Sequence, residues 1–178
     1  MQNILEQSKN KTRVLVLSSQ PSVTQLLLEV LRFHEKDFDF YLEDGSFKNS
    51  DTDFVILETS NLAEATSFEP NIALITSEIS NKDVISVIEK ITPGGVLVYH
   101  SNLSELVEES SNFFRKLEFT GTAFSKIDSK FTLQTNLGDI PISSSDENLI
   151  QNIDGIKLLS QQFGVMEEDF YEPVMSFE

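Results

Sequence analysis

The chain has 178 residues, 39% of them hydrophobic, with 29 acidic against 13 basic side chains for a formal charge of −16. The length suits one sizeable core and is short for two, while the charge argues against nucleic acid and anionic membrane as partners, because both need a positive footprint. There is no cysteine, which excludes disulfides, thiolate metal sites and a cysteine nucleophile.

The carboxylate excess reads first as a solvated surface and second as a face for a basic partner. Fourteen Phe and no Trp make the core Phe-rich, which bears on packing and not on function. The N-terminal stretch has no long apolar segment, so no signal peptide is expected. No apolar run approaches the roughly 20 residues of a membrane span. A cytoplasmic location is the default expectation.

Residues 1–12 are polar and read as a short helix or arm, and residues 13–178 as a single domain. Arg13-Val-Leu-Val-Leu17 is an apolar run suited to a central strand covered on both faces. The loop Ser18-Ser-Gln-Pro-Ser22 follows, then the helical pattern Val23, Leu26, Leu27, Val30, Leu31, with Ser22 and Gln25 spaced as a capping box. Strand, tight loop and helix open a nucleotide-binding α/β domain, where loop amides and the helix N-terminus cradle a phosphate. This loop has the outline without the chemistry, since it holds neither Gly nor Lys and matches neither G-x-x-x-x-G-K-[ST] nor G-x-G-x-x-G.

Phe38, Phe40 and Leu42 alternate with Asp37, Asp39 and Tyr41 and predict a second, more exposed strand. Glu43–Ser46 reads as a turn and the run to Asp51 as a surface loop. Phe54–Leu57, ending at Glu58, is a third strand and Asn71–Thr76 a fourth. Asn81 caps a helix carrying Val84, Ile85, Ile88 and Ile91. Pro93-Gly-Gly95 turns into a fifth strand, Val96–Tyr99, and Leu103, Leu106 and Val107 mark a short helix. This alternation predicts a mostly parallel, doubly wound sheet flanked by helices. Four β-rich segments between Lys116 and Ile142, with hairpin-like turns at Asp128-Ser129 and Asn136–Gly138, predict an antiparallel extension of that sheet. A long helix then turns Ile150, Ile153, Ile156, Leu159 and Phe163 inward and stops at Gly164.

From about Asp53 to Glu178 the chain resembles the central, ATP-binding domain of the Mur ligases, most nearly the UDP-N-acetylmuramate–alanine ligase branch. The resemblance is carried by Phe54–Glu58, Phe68–Thr76, Gly94–Tyr99 with Glu105-Leu106, the helix Asn148–Gly164, and Phe170–Glu178. Residues 13–32 match in pattern only. The family's central domain lies between a UDP-sugar-binding domain and an amino-acid-binding domain, and 178 residues leave room for neither. Its members form an acyl-phosphate from a carboxylate and ATP, which an amine then attacks.

Carried over residue by residue, the resemblance implies a heavily depleted site. The phosphate loop falls on Ser18–Val23 without its glycines or the lysine that would neutralise the β/γ-phosphates. Glu58 stands at the family's magnesium-ligand position. The family's Asp-His pair falls on Asn81-Lys82, and its Asn-x-Asp-Asp on His100–Leu103 with both acids missing. Of a His-Asn-x-x-Asn set on Asn148–Asn152, only Asn152, at an adenine-contacting position, persists.

The candidate nucleotide contacts are therefore Ser18, Ser19, Ser22 and Asn152, and the candidate metal ligand is Glu58. Each has a structural reading beside the functional one. A lone carboxylate cannot hold Mg²⁺ without phosphates or a second ligand, and Asn152 reads first as a helix-surface amide and second as a base contact. His100 has no evident catalytic partner, His34 reads as a helix C-terminal residue meeting the dipole, and Lys82 could attract an anion. No catalytic residue and no cofactor are expected; ATP with Mg²⁺ is the alternative, through residual Mur-type carboxylate–amine ligation. The favoured expectation is a non-catalytic binding or regulatory module tied to cell-wall synthesis, with a protein partner or a second copy of the chain. Residues 13–45 also resemble the start of a response-regulator receiver, which would put Glu58 at the phosphoacceptor position and Ser18-Ser19 at the metal-binding acidic pair.

Overall fold

The computed structural model describes residues 2–128 and 130–178; Met1 and Ser129, the latter half of an expected hairpin turn, lie outside the described residues. The chain divides into two compact units. One comprises residues 1–19 and 37–119, the other residues 20–36 and 120–178.

The first unit holds α1 (Gln2–Gln7), β1 (Thr12–Leu17), β2 (Asp39–Tyr41), β3 (Phe47–Lys48), β4 (Phe54–Thr59), α3 (Leu62–Phe68), β5 (Ile72–Ile75), α4 (Ile85–Ile88), β6 (Val96–His100), α5 (Ser104–Glu109) and β7 (Arg115–Phe119). The seven strands form one sheet in the order β3-β2-β4-β1-β5-β6-β7. Every pairing is parallel except that of the edge strand β3 with β2. β1 is hydrogen-bonded on both sides, with Leu17 opposite Thr59 of β4 and Ile75 of β5. Its continuous apolar run follows from that position. Leu15 and Leu17 enter a core with Leu57, Phe68, Ile75, Ile88 and Val107 from the strands and helices of this unit. Val14 and Val16, pointing the other way, are equally buried.

The second unit holds α2 (Pro21–Phe33), β8 (Phe124–Ile127), β9 (Lys130–Thr135), β10 (Gly138–Ile142), α6 (Glu147–Gln161) and α7 (Glu167–Ser176). The three strands make a separate antiparallel sheet, β10-β9-β8. The periodic residues of α2 are all buried, and the helix packs with α6 and α7. Lys157 joins the latter two: its Nζ lies 3.0 Å from Glu167, 3.2 Å from Asp154 and 3.2 Å from the Tyr171 hydroxyl. Burial works against this ammonium, but the bonds to Glu167 and Tyr171 outweigh it and raise its pKa above the ordinary lysine value.

The α/β reading holds, with four corrections. First, the antiparallel segments do not extend the main sheet. The segment beginning near Lys116 is β7, a parallel edge strand, and the remaining three form a sheet of their own. Second, α2 begins at Pro21, with Gln20 at its N-cap, and Ser22 does not cap it. Proline suits the first helical turn, where its missing N–H is needed by nothing. Third, α3 and β3 had no counterpart in the periodicity. Asn61 caps α3, accepting from the Ala63 and Glu64 amides at 2.9 and 3.2 Å. Asn61-x-x-Glu64 has the spacing of a capping box and was the available signal. Fourth, Asp39 is not on an exposed alternation: it is 1% exposed.

Asp39 ties β2 to the rest of the unit. Its Oδ2 accepts from Lys11 Nζ at 2.8 Å, and its carboxylate also takes the Ser50 and Thr52 amides at 2.6 and 3.1 Å. Burial alone would raise its pKa, but the Lys11 bond and the two amides prevail and hold it below the usual aspartate value of 3.8. Because the folded pKa is depressed, this contribution is present above that ordinary value and is lost as pH falls through the lower folded one. Asp39→Ala should cost about 2 kcal/mol at neutral pH, by removing the shared acceptor of Lys11 and the Ser50 and Thr52 amides, with Asp51 left as the remaining partner of Lys11. The difference from the wild type should shrink as pH drops below the ordinary aspartate value, read from urea unfolding across an acid series.

Candidate functional site

In a parallel α/β sheet, ligands gather at the carboxyl ends of the strands, at the point where strand order reverses. Here that point is the end of β1, flanked by β4 and β5. The chain leaving β1 presents Ser18, which is 1% exposed, and then Ser19, which is exposed. The Ser18 amide donates to the Thr59 carbonyl at 3.2 Å, continuing the ladder to β4.

The remaining donors converge on one carboxylate oxygen. Glu78 Oε1 accepts from the Ser18 hydroxyl at 2.7 Å and from the Ser19 amide at 3.1 Å. The Thr76 hydroxyl lies 2.7 Å from the same oxygen and 3.0 Å from the Leu17 carbonyl. An anion-receiving arrangement therefore exists at the end of β1, and the chain's own glutamate occupies it. Glu78 and Thr76 did not emerge from the sequence. Their signal was position, since Thr76-Ser-Glu78 follows directly on the apolar strand that neighbours β1.

The other predicted residues are dispersed. Glu58, 5% exposed and one residue from the end of β4, accepts the Glu43 amide at 3.3 Å. It lines a pocket of about 280 Å³ with Tyr41, Glu43, Phe47 and Glu64. Ser22, in the second unit, donates to Asp146 Oδ2 at 2.8 Å. The other oxygen of Asp146 caps α6 through the Asn148 and Leu149 amides. Asn152 is fully buried within α6, which corrects its reading as a surface amide; its Nδ2 donates to the Asn148 carbonyl at 3.0 Å. Both phosphate-loop serines that retain a hydroxyl bond of this kind, Ser18 and Ser22, thus spend it on an internal carboxylate.

The histidines have local tasks. His100 Nδ1 accepts the Asn102 amide at 3.2 Å, capping a 3₁₀ turn, and the ring meets Phe119 edge-on. His34 ends α2, and its Nε2 donates to the Asp169 carbonyl at 3.0 Å. Lys82 stands exposed in the 3₁₀ turn Lys82–Val84, whose N-cap is Asn81. Among the described residues, no three His, Asp or Glu side chains are placed to hold a metal ion.

No family model and no curated protein matches the sequence. Solved structures do. MurF from Acinetobacter baumannii superposes with a TM-score of 0.71 over 98% of this chain and 48% of its own, at 13% identity. The UDP-N-acetylmuramate:L-alanyl-gamma-D-glutamyl-meso-diaminopimelate ligase from Neisseria meningitides gives 0.69 over 99% of this chain and 68% of its own, at 12% identity. MurC from Thermotoga maritima gives 0.66 over 98% and 46%, at 15% identity. The chain has the fold of a Mur-ligase-like central domain.

It spans about half the length of MurF and MurC. The three scores differ too little to favour the alanine-ligase branch over the others. The receiver-like reading fails on strand order. A receiver runs 2-1-3-4-5, whereas here β4 lies between β2 and β1.

The Mur-ligase-like fold implies a nucleotide with Mg²⁺, and the residues at the end of β1 do not fit one. The loop brings no Lys or Gly, and its donors already face a carboxylate. Two negative groups about 4 Å apart repel by about 4 kcal/mol at an effective dielectric near 20, so a phosphate would have to displace Glu78 without gaining a cation. Glu78→Ala should cost about 2 kcal/mol by removing the acceptor oxygen that Ser18, Ser19 and Thr76 share. Glu78→Gln, which keeps an acceptor oxygen, should cost less than half of that in the same denaturant titration.

Proposed function

We propose that this chain is a non-catalytic, Mur-ligase-like domain that acts as a binding or regulatory module in the cytoplasm, in contact with the machinery of cell-wall synthesis. The observation that carries this reading is the Glu78 carboxylate held by Ser18, Ser19 and Thr76. A ligase of this type must neutralise a triphosphate at this strand end, and an anion is built in there instead. The absence of Lys and Gly from Ser18–Val23 points the same way. Glu58 near the end of β4 does not restore the chemistry by itself, since a single carboxylate holds Mg²⁺ only together with phosphates or a second ligand.

The proposed partner is a protein, and a second copy of the chain is the alternative partner. The formal charge of −16 supports a partner with a basic face, and no helix among the described residues is long and apolar enough to cross a membrane. The link to cell-wall synthesis rests on the names of the ligases that share the fold, which act on UDP-N-acetylmuramoyl peptides.

Titration calorimetry of the full chain with Mg-ATP and Mg-ADP tests the reading. No heat beyond dilution is expected at nucleotide concentrations up to about 1 mM, the upper end of ordinary substrate affinities. Saturable, metal-dependent binding would overturn it and restore a residual nucleotide function through Glu58, Asn152 and the serine loop.

A further inference from the structure

The pocket beside Glu58 has a composition that selects its occupant. One wall is aromatic: the Tyr41 and Phe47 rings stack at 5.9 Å between centroids with 7° between planes. Phe47 is 67% exposed, on the edge strand β3. A phenyl ring this open, stacked in place rather than left loose, offers a free π face. The lining also carries Glu43, Glu58 and Glu64, and no basic residue.

Two of these carboxylates are fixed by neutral donors. Glu43 Oε1 accepts the Ser60 hydroxyl and Glu64 Oε2 the Thr59 hydroxyl, each at 2.6 Å. Among the described residues, neither Glu43 nor Glu64 is ion-paired. Three carboxylates around one cavity make its local potential negative, which draws a cation. Because the three do not converge on one point as metal ligands, the shape calls for an extended organic cation. An arginine meets both demands: its planar guanidinium stacks on an aromatic face while its edge forks toward carboxylates. A lysine ammonium can sit over a ring or beside a carboxylate, but as a point charge it cannot stack flat and fork bidentately at once.

We propose that the pocket between the Tyr41–Phe47 stack and Glu43, Glu58 and Glu64 takes the guanidinium of an arginine on a basic segment of a protein partner. This rests on the binding-module reading and names the recognition chemistry of that module. A fluorescently labelled hexa-arginine peptide, titrated against the full chain by anisotropy at about 150 mM salt, tests it; there surface charges farther apart than about 8 Å are screened. Phe47→Ala should weaken binding about fivefold, the loss of one cation–π contact. Glu43→Gln with Glu64→Gln should weaken it about tenfold. Glu168→Gln with Glu172→Gln, exposed acids of α7, removes the same charge and should change binding less than about twofold. Hexa-lysine should bind more weakly than hexa-arginine. Equal losses in the pocket and α7 variants, equal binding of the two peptides, or no binding would overturn the proposal. Mg-ATP titrated against the same protein reports separately on the module reading: charge-only peptide binding without nucleotide heat overturns the arginine pocket and leaves that reading standing.

Discussion

β1 is the strand on which the sheet is built, and its backbone is committed on both sides, to β4 and to β5. Such a strand ends with donors that must be met locally, because an unmet buried polar group costs about 1–3 kcal/mol. In a nucleotide enzyme a phosphate meets them. Here Glu78 does, from the segment that follows β5. The donors at this strand end are thus satisfied within the chain, by an internal carboxylate.

That substitution separates two properties that are easily confused. The fold is shared with Mur ligases over nearly the whole chain, at identities of 12 to 15%. Low identity with high superposition means that the path of the chain is alike while few residues are. Fold similarity alone does not convey activity; chemistry needs particular groups at particular atoms. At the end of β1 in this chain, the group that meets the strand-end donors is a glutamate, Glu78.

The neighbouring strand end is acidic as well. Glu58 stands where the ligase resemblance implied a metal ligand, and its surroundings are two further carboxylates and an aromatic stack, the setting on which the proposed arginine recognition rests. Asp39 shows the contrasting case: a buried carboxylate with Lys11 and two amides already in place, which organises β2 and offers nothing to a ligand.

Much of the fold was legible in the residues. Continuous apolar runs such as Arg13–Leu17 mark buried parallel strands, and the spacing of Val23 to Leu31 or Ile150 to Leu159 marks helices, because both patterns express burial that the chain itself must satisfy. The absence of Lys and Gly from Ser18–Val23 is likewise read directly from the residues, as is the mismatch with a phosphate-loop motif. What fills the loop's place was decided only in three dimensions. Glu78 is some sixty positions from Ser18 in the chain, Asp39 is buried by an ion pair to Lys11 across 28 residues, and Phe47 gains its meaning from a stack with Tyr41 across a turn. Periodicity reports which face of an element is buried. It carries no information about which distant polar group will arrive at that element's end, since that depends on strand order, and strand order is set by how whole elements pack.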